Sequence, residues 1–210
     1  MGGRFMAMID AILFDVGNVL VQWDPKNLYR KLLPDEEAVE RFLGDVCTLE
    51  WHSAHDQGTS FEENAALLKE AHPDHAELID LWGARYLEMS PGEVDGVSTL
   101  MDRAESAGLE FHGLTNMPSS IYPLLTEAFP PVARLKTVVI SGDEKICKPD
   151  LEIYRRAVGR MGTDPARTLY VDDTLINANA ATELGMVSHH FTDAAGLENH
   201  LDELGVFGAG

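Results

Sequence analysis

Asp15, the pair Thr115 and Asn116, Lys148, and the pair Asp172 and Asp173 are the residues of this 210-residue chain whose types and spacing could do chemistry together. Asp15 ends the apolar run Ala11 to Phe14, Thr115 ends Leu109 to Leu114, and Asp172 ends Thr168 to Val171. A carboxylate at the end of an apolar segment is costly unless something positive meets it, so Asp15 implies a cation or a catalytic task. Adjacent carboxylates such as Asp172 and Asp173 are hard oxygen ligands of the kind a divalent cation prefers. Each signal has a plainer reading alone: a turn cap at Asp15, a turn plus helix cap at Lys148-Pro149-Asp150, a solvated loop at Asp172-Asp173. All four arising in this order by accident is much less expected.

The elements that would carry them follow from hydrophobic pattern. Four-residue runs such as Ala11 to Phe14, with β-branched and aromatic character, read as buried strands. From Trp23-Asp24-Pro25 to about Pro91, helical signals dominate. Asp35 caps a helix running to Phe42-Leu43, Ser60-Phe61-Glu62-Glu63 is a capping box before Ala65 to Leu68, and a further helix from Asp74 carries Trp82 and Tyr86 to Pro91-Gly92. Beyond Pro91, helix and strand alternate. A helix with Val97, Leu100, Met101 and Ala104 on one face is followed by strands at Leu109 to Leu114, Thr137 to Ile140, Thr168 to Val171 and Val187 to His190, with helices between them and after the last. Such alternation implies a parallel sheet with right-handed crossovers. The first crossover is far too long for one helix. The expectation is an α/β, Rossmann-like core at 1–24 and 92–210, with an inserted all-helical cap at 25–91. The carboxyl ends of parallel strands share one edge, so the four signals could meet in one cleft.

Net charge is −19, from 35 acidic and 16 basic side chains. That excludes nucleic acid and anionic membrane surfaces as expected partners, since both select basic proteins. Hydrophobic content of 45% and charged content of 24% are ordinary for a globular protein. No apolar run approaches the length of a membrane span. Met1 to Met6 lacks a secretory pattern, which gives a cytoplasmic expectation. Cys47 and Cys147 are unclustered and read as reduced thiols.

Phe14-Asp15-Val16-Gly17-Asn18-Val19-Leu20, Leu114-Thr115-Asn116, Lys148-Pro149 and Val171-Asp172-Asp173 resemble the four ordered motifs of the haloacid dehalogenase (HAD) superfamily, and the match covers essentially the whole chain. The helical insertion resembles the cap of that superfamily's C1 branch. The form of the first motif is similar to a bacterial sugar-phosphatase subgroup that includes α-D-glucose-1-phosphatase. The resemblance implies a Mg²⁺-dependent phosphatase acting on a small phosphorylated metabolite, with a sugar phosphate one option. Asp15 would be the nucleophile, forming an aspartyl-phosphate that water hydrolyses. Asp15, the Gly17 carbonyl, Asp172 and Asp173 would hold the metal, Thr115 would donate to a phosphate oxygen with help from backbone N–H groups near a helix start, Asn116 beside it would belong to the catalytic set, and Lys148 would hold nucleophile and phosphoryl group together.

One position departs from the pattern. Most phosphatases of the superfamily carry an acid two residues after the nucleophile, where this chain has Gly17. Proton transfer of that kind is worth about 10²–10⁴-fold in rate. Asn18 cannot titrate. His55 and Asp56, inside the inserted block, are the candidates for the missing proton transfer and for substrate contact, together with Asn18. His52 and His55, like His72 and His75, have metal-compatible spacing but lack further ligands and read as surface histidines. Trp82 and Tyr86 read as packing residues, and His189-His190 suggests nothing sharp. Two other functions fit the same motifs: a metal-independent 2-haloacid dehalogenase, which also lacks the second aspartate, and a non-catalytic binding protein with a vestigial site.

Overall fold

The computed structural model describes residues 9–207. Its centre is a sheet of five strands, β1 (Ala11–Phe14), β2 (Glu110–Thr115), β3 (Val138–Ile140), β4 (Thr168–Asp172) and β5 (Val187–His190). All neighbours are parallel, in the order β3-β2-β1-β4-β5. Between β1 and β2 lie α1 (Lys26–Tyr29), α2 (Glu36–Asp45), α3 (Leu49–Asp56), α4 (Phe61–Ala71), α5 (Ala76–Ala84) and α6 (Val97–Ser106). Next come α7 (Tyr122–Ala128) and α8 (Pro130–Ala133) after β2, α9 (Ser141–Glu144) and α10 (Leu151–Met161) after β3, α11 (Leu175–Glu183) after β4, and α12 (Ala194–Glu203) after β5. The amino-terminal stretch read for a secretory pattern lies outside the described residues.

The strands read as unbroken apolar runs because both faces of a parallel sheet are covered. On one face Leu13, Leu114, Val139 and Tyr170 pack with Ile153, Tyr154 and Ala157 of α10 and Ala180 and Ala181 of α11. On the other, Ile12, Phe14, Phe111, Leu169 and Val171 belong to a core that includes Val97, Leu100 and Met101 of α6 and Leu197 and Leu201 of α12. At about 25 cal/mol per Å² of apolar surface removed from water, such burial is the main term holding β1 central.

The chain leaves the sheet after β1 and returns before α6 through a narrow neck. Gln22 N donates to the Gly92 carbonyl at 2.9 Å, Val94 N to the Leu20 carbonyl at 3.0 Å, and Asp24 N to the Met89 carbonyl at 3.0 Å. Between the two sides of this neck every regular element is helical. The capping residues act as their types dictate: Asp35 Oδ1 accepts from Ala38 N at 2.8 Å and Ser60 Oγ from Glu63 N at 3.2 Å. Two features differ from the sequence pattern. The helix expected to reach Pro91 ends at Ala84, and Tyr86–Met89 form a 3₁₀ turn that points Tyr86 and Met89 inward. Helix α3, capped by Thr48 Oγ1 on Trp51 N at 3.0 Å, has no aliphatic stripe to reveal it, because its buried face is His52 and His55.

Candidate active site

The strand order reverses direction between β1 and β4, and in open α/β sheets ligands bind in the crevice at such a switch point. Phe14 is in register with Val171, so Asp15 and Asp172 are the next residues along two adjacent strands. Thr115 ends β2 on the other side of β1, and Asp173 follows β4 directly. The topology therefore gathers the residues singled out from the sequence at one edge, around a cavity of about 260 Å³ that Asp15, Thr115, Asn116 and Asp173 help to line.

Lys148 reaches this edge from the loop before α10. Its Nζ lies 2.9 Å from Asp15 Oδ2 and 2.7 Å from Asp172 Oδ2, and all three side chains are almost fully buried. Asn116 clamps the lysine's backbone from both sides: Lys148 N donates to Asn116 Oδ1 at 2.8 Å, and Asn116 Nδ2 donates to the Lys148 carbonyl at 3.1 Å. Asn116 thus positions Lys148 through its main chain. The oxygens of Asp172 are fully engaged. Oδ1 accepts from Thr174 N at 2.8 Å and Asn177 Nδ2 at 3.1 Å, and Oδ2 accepts from Lys148 Nζ, the Tyr170 hydroxyl and Asn177 Nδ2. Tyr170 reaches Asp172 because residues two apart on a strand share a face. Neither Tyr170 nor Asn177 stood out in the sequence, where one reads as strand core and the other as helix.

Burial pushes the Asp15 carboxyl up to about 7 against the pull of Lys148, with Asp172 adding to the rise. Burial also pushes Asp172 up, but the Lys148 charge and the hydrogen bonds from Lys148, Tyr170 and Thr174 N outweigh it and hold Asp172 below the ordinary range. Asp173 is raised by burial and by the Asp172 charge. Lys148 is kept charged by its two carboxylates although burial opposes it. Asp15, Asp172 and Asp173 each offer an oxygen within 4.8 Å of the others. Three carboxylates facing one ammonium leave negative charge in excess, which a divalent cation would relieve. The oxygens fit Mg²⁺, which takes hard ligands. Among the described residues no hydrogen bond reaches the Gly17 carbonyl.

Gly17 is not in the left-handed region; the adjacent Asn18 is, at φ 54°. Asparagine tolerates that conformation better than most residues, and Asn18 Oδ1 braces it by accepting from Trp23 N at 2.9 Å. A Cβ built on Gly17 meets nothing within 4 Å. The space beside Asp15 is therefore open, and no side chain of the first motif fills it.

The helical block forms the opposite wall, where Leu49, His52, Asp56, Tyr86 and Ser90 line the cavity together with Trp23 at the neck. His52 and His55 are buried, not surface histidines. His55 faces away from the cavity: Asn64 Nδ2 lies 3.2 Å from its Nε2 and the Thr59 carbonyl 3.3 Å from its Nδ1. Since an amide NH₂ only donates, Nε2 accepts and Nδ1 carries the proton. His55 is thus a packing residue of α3 and does not meet the cleft as expected. Trp82 is wholly buried, as its helical spacing suggests, whereas Tyr86 turns into the cavity wall. Helix α3 is anchored to the sheet side by Cys147 Sγ donating to the Asp56 carbonyl at 3.4 Å.

Residues 9–185 match the family model for haloacid dehalogenase-like hydrolases. The chain belongs to this family. It is 26% identical over 192 residues to the sesquiterpene phosphatase astK of Aspergillus oryzae, a match covering 88% of this chain and 90% of the relative. It is 30% identical over 113 residues to flavin mononucleotide hydrolase 1 of Arabidopsis thaliana, covering 54% of this chain and 46% of that protein. Among solved structures, the HAD family enzyme bt-2542 of Bacteroides thetaiotaomicron, in complex with magnesium and inorganic phosphate, superposes with a TM-score of 0.66 at 20% identity, covering 89% of this chain and 96% of that one. The chain is thus a HAD-like hydrolase with the family's parallel α/β fold. No helix among the described residues is long and apolar enough to cross a membrane.

Proposed function

We propose that this hydrolase is a Mg²⁺-dependent phosphatase that cleaves a phosphate monoester through a phosphoryl group carried on Asp15. The observation that carries this reading is the Lys148 bridge. One buried ammonium holds Asp15 Oδ2 at 2.9 Å while Asp172 anchors it from behind at 2.7 Å, and Asp173 stands beside them with its carboxylate uncommitted to Lys148. Phosphoryl transfer needs little more than a placed nucleophile and concentrated positive charge. Asp15 is held for attack; Lys148 offsets its charge and faces the incoming phosphoryl oxygens. Thr115, buried at the end of β2, donates its hydroxyl to one of them. Asp15, Asp173 and the Gly17 carbonyl would hold the metal, and Asp172, with its lone pairs committed, positions Lys148. When bound, Mg²⁺ supplies positive charge to the phosphoryl oxygens.

The helical block 25–91 acts as a cap that selects the alcohol part of the ester. Its wall sets Leu49 and Tyr86 beside His52, Asp56 and Ser90, and Trp23 at the neck with Met117 and Leu125 of the core side add apolar surface to the cavity. Past Asn18, Trp23 and Leu49 the cavity continues into an outer groove of about 520 Å³ whose floor of Pro25, Leu43 and Cys47 is edged by Asp24, Lys26 and Glu40. An extended apolar or planar alcohol suits these surfaces better than a bare sugar, whose hydroxyls need many polar partners. The two relatives, a sesquiterpene phosphatase and a flavin mononucleotide hydrolase by name, point the same way. The test is phosphate release from prenyl phosphates, flavin mononucleotide, aryl phosphates and sugar phosphates, with Mg²⁺ and with chelator. Faster release from the apolar and planar esters, only with Mg²⁺, is expected. Halide release from 2-haloacids in chelator would instead assign the dehalogenase reaction.

A further inference from the structure

A phosphatase with Gly17 beside its nucleophile needs another source for the proton that the departing alcohol takes. The side chains around the cavity leave few candidates. Asp15 is the nucleophile and Asp173 a metal ligand. His52 is disqualified by its own contacts: Trp82 Nε1 donates to His52 Nδ1 at 3.1 Å, so the ring's single proton sits on Nε2. That Nε2–H faces Asp56 Oδ1 at 3.6 Å, one helical turn along α3. Asp56 remains.

We propose that Asp56, presented by the helical block, is the general acid and base of this hydrolase, and that His52 is its positioning residue. The inference rests on the phosphatase reading above. Asp56 lines the same cavity as Asp15. Its Oδ1 is buried and has no hydrogen-bond partner. It is the last residue of α3, where the helix's negative end disfavours a carboxylate. Neither helix capping nor an ion pair therefore accounts for a carboxyl here. Burial pushes it up to about 7, moderated by the Lys148 charge, so it holds a proton near neutrality. The groups around it agree. His52, held well down to about 3 by burial and by His55, stays neutral. Burial keeps the Tyr86 hydroxyl and the Cys147 thiol protonated, and the charge that acts on Asp56 is that of Lys148.

The proton balance closes over two half-reactions. Asp15 attacks phosphorus, the bond from phosphorus to the ester oxygen breaks, and that oxygen takes the Asp56 proton and leaves as the alcohol. Water then attacks phosphorus, the bond to Asp15 breaks, and Asp56 takes the water's proton. Inorganic phosphate leaves, and both carboxyl groups return to their starting states.

The experiment follows single-turnover cleavage of esters graded by leaving-group pKa, for wild type, Asp56→Asn and Gly17→Asp/Asp56→Asn. For primary alkyl esters Asp56→Asn should lose about 10²–10⁴-fold, and the loss should shrink as the leaving group becomes more acidic. The wild-type rate on alkyl esters should fall above pH about 7, where Asp56 loses its proton, and Asp56→Asn should lose that limb. The double variant should recover part of the alkyl-ester rate, because the added carboxyl enters the open space at Gly17. An equal loss on every ester, or an unchanged alkaline limb in Asp56→Asn, overturns the assignment. If Asp56→Asn fails to fold, the wild-type profiles decide: a limb on alkyl esters that flattens for aryl esters supports it, and identical limbs overturn it. Wild type that releases phosphate from no ester refutes the phosphatase reading itself, and this inference with it.

Discussion

Asp56→Asn should stabilise the fold at alkaline pH and leave it unchanged at acid pH. An Asp has an unperturbed pKa near ~3.9, and burial raises Asp56 to about 7. The folded state therefore binds more protons than the unfolded chain between those values. For a carboxyl raised in this way, stability is lost as pH climbs through the window from about 4 to about 7, and stays lost above it. Three pKa units at ~1.36 kcal/mol each set an upper bound of about 4 kcal/mol. The side chain keeps 16% of its surface exposed, so water screens part of the cost, and about 2 kcal/mol is the working figure. For a chain of this length that is a Tm difference of about 4–8 °C. Asn is nearly isosteric with protonated Asp and does not titrate. Wild type and Asp56→Asn should melt together near pH 3.5, below the unfolded pKa, while the variant should melt higher at pH 8, with both proteins in chelator. Every other titrating group is common to the pair and cancels. A Tm difference that does not change between the two pH values would refute burial of an ionisable Asp56.

The remaining expectations concern the buried cluster and its supports. Lys148→Met leaves Asp172 buried without its cation, which should destabilise by about 3–5 kcal/mol in denaturant unfolding and abolish turnover. Asp173→Ala should raise the Mg²⁺ concentration for half-maximal activity at least about tenfold, and Mg²⁺ should lift the Tm of wild type more than that of the variant. Gly58→Ala places a Cβ 2.7 Å from the Gly142 carbonyl at a residue with φ +96°, so it should lower stability by about 1–3 kcal/mol in the same unfolding assay.

The parallel sheet was legible because its strands announce themselves. A strand buried on both faces is a short apolar run, and Ala11 to Phe14 and Thr168 to Val171 are such runs, each followed by a carboxylate. Asp15 and Asp172 could be set at one edge without coordinates for the same reason. What escaped were interactions between distant segments. The five hydrogen bonds that Asp172 accepts come partly from Tyr170 and Asn177, which look like ordinary strand and helix residues. Asn116, placed in the catalytic set from its position beside Thr115 alone, makes its two hydrogen bonds to the Lys148 backbone, a partner 32 residues away. In the helical block, Trp51, His52 and His55 carry no aliphatic period, so α3 went unread, and with it the difference between His55, turned inward, and Asp56, turned to the cleft.

The central claim, that Asp15 carries the phosphoryl group, is tested most directly by quenching a single turnover in acid and measuring the mass of the peptide that contains Asp15. With a cleaved ester and Mg²⁺, that peptide should gain one phosphoryl group during the turnover, and the gain should vanish in chelator and in Asp15→Asn, which should release no phosphate. Phosphate release at an undiminished rate by Asp15→Asn, or a phosphoryl group found on another residue, would contradict it.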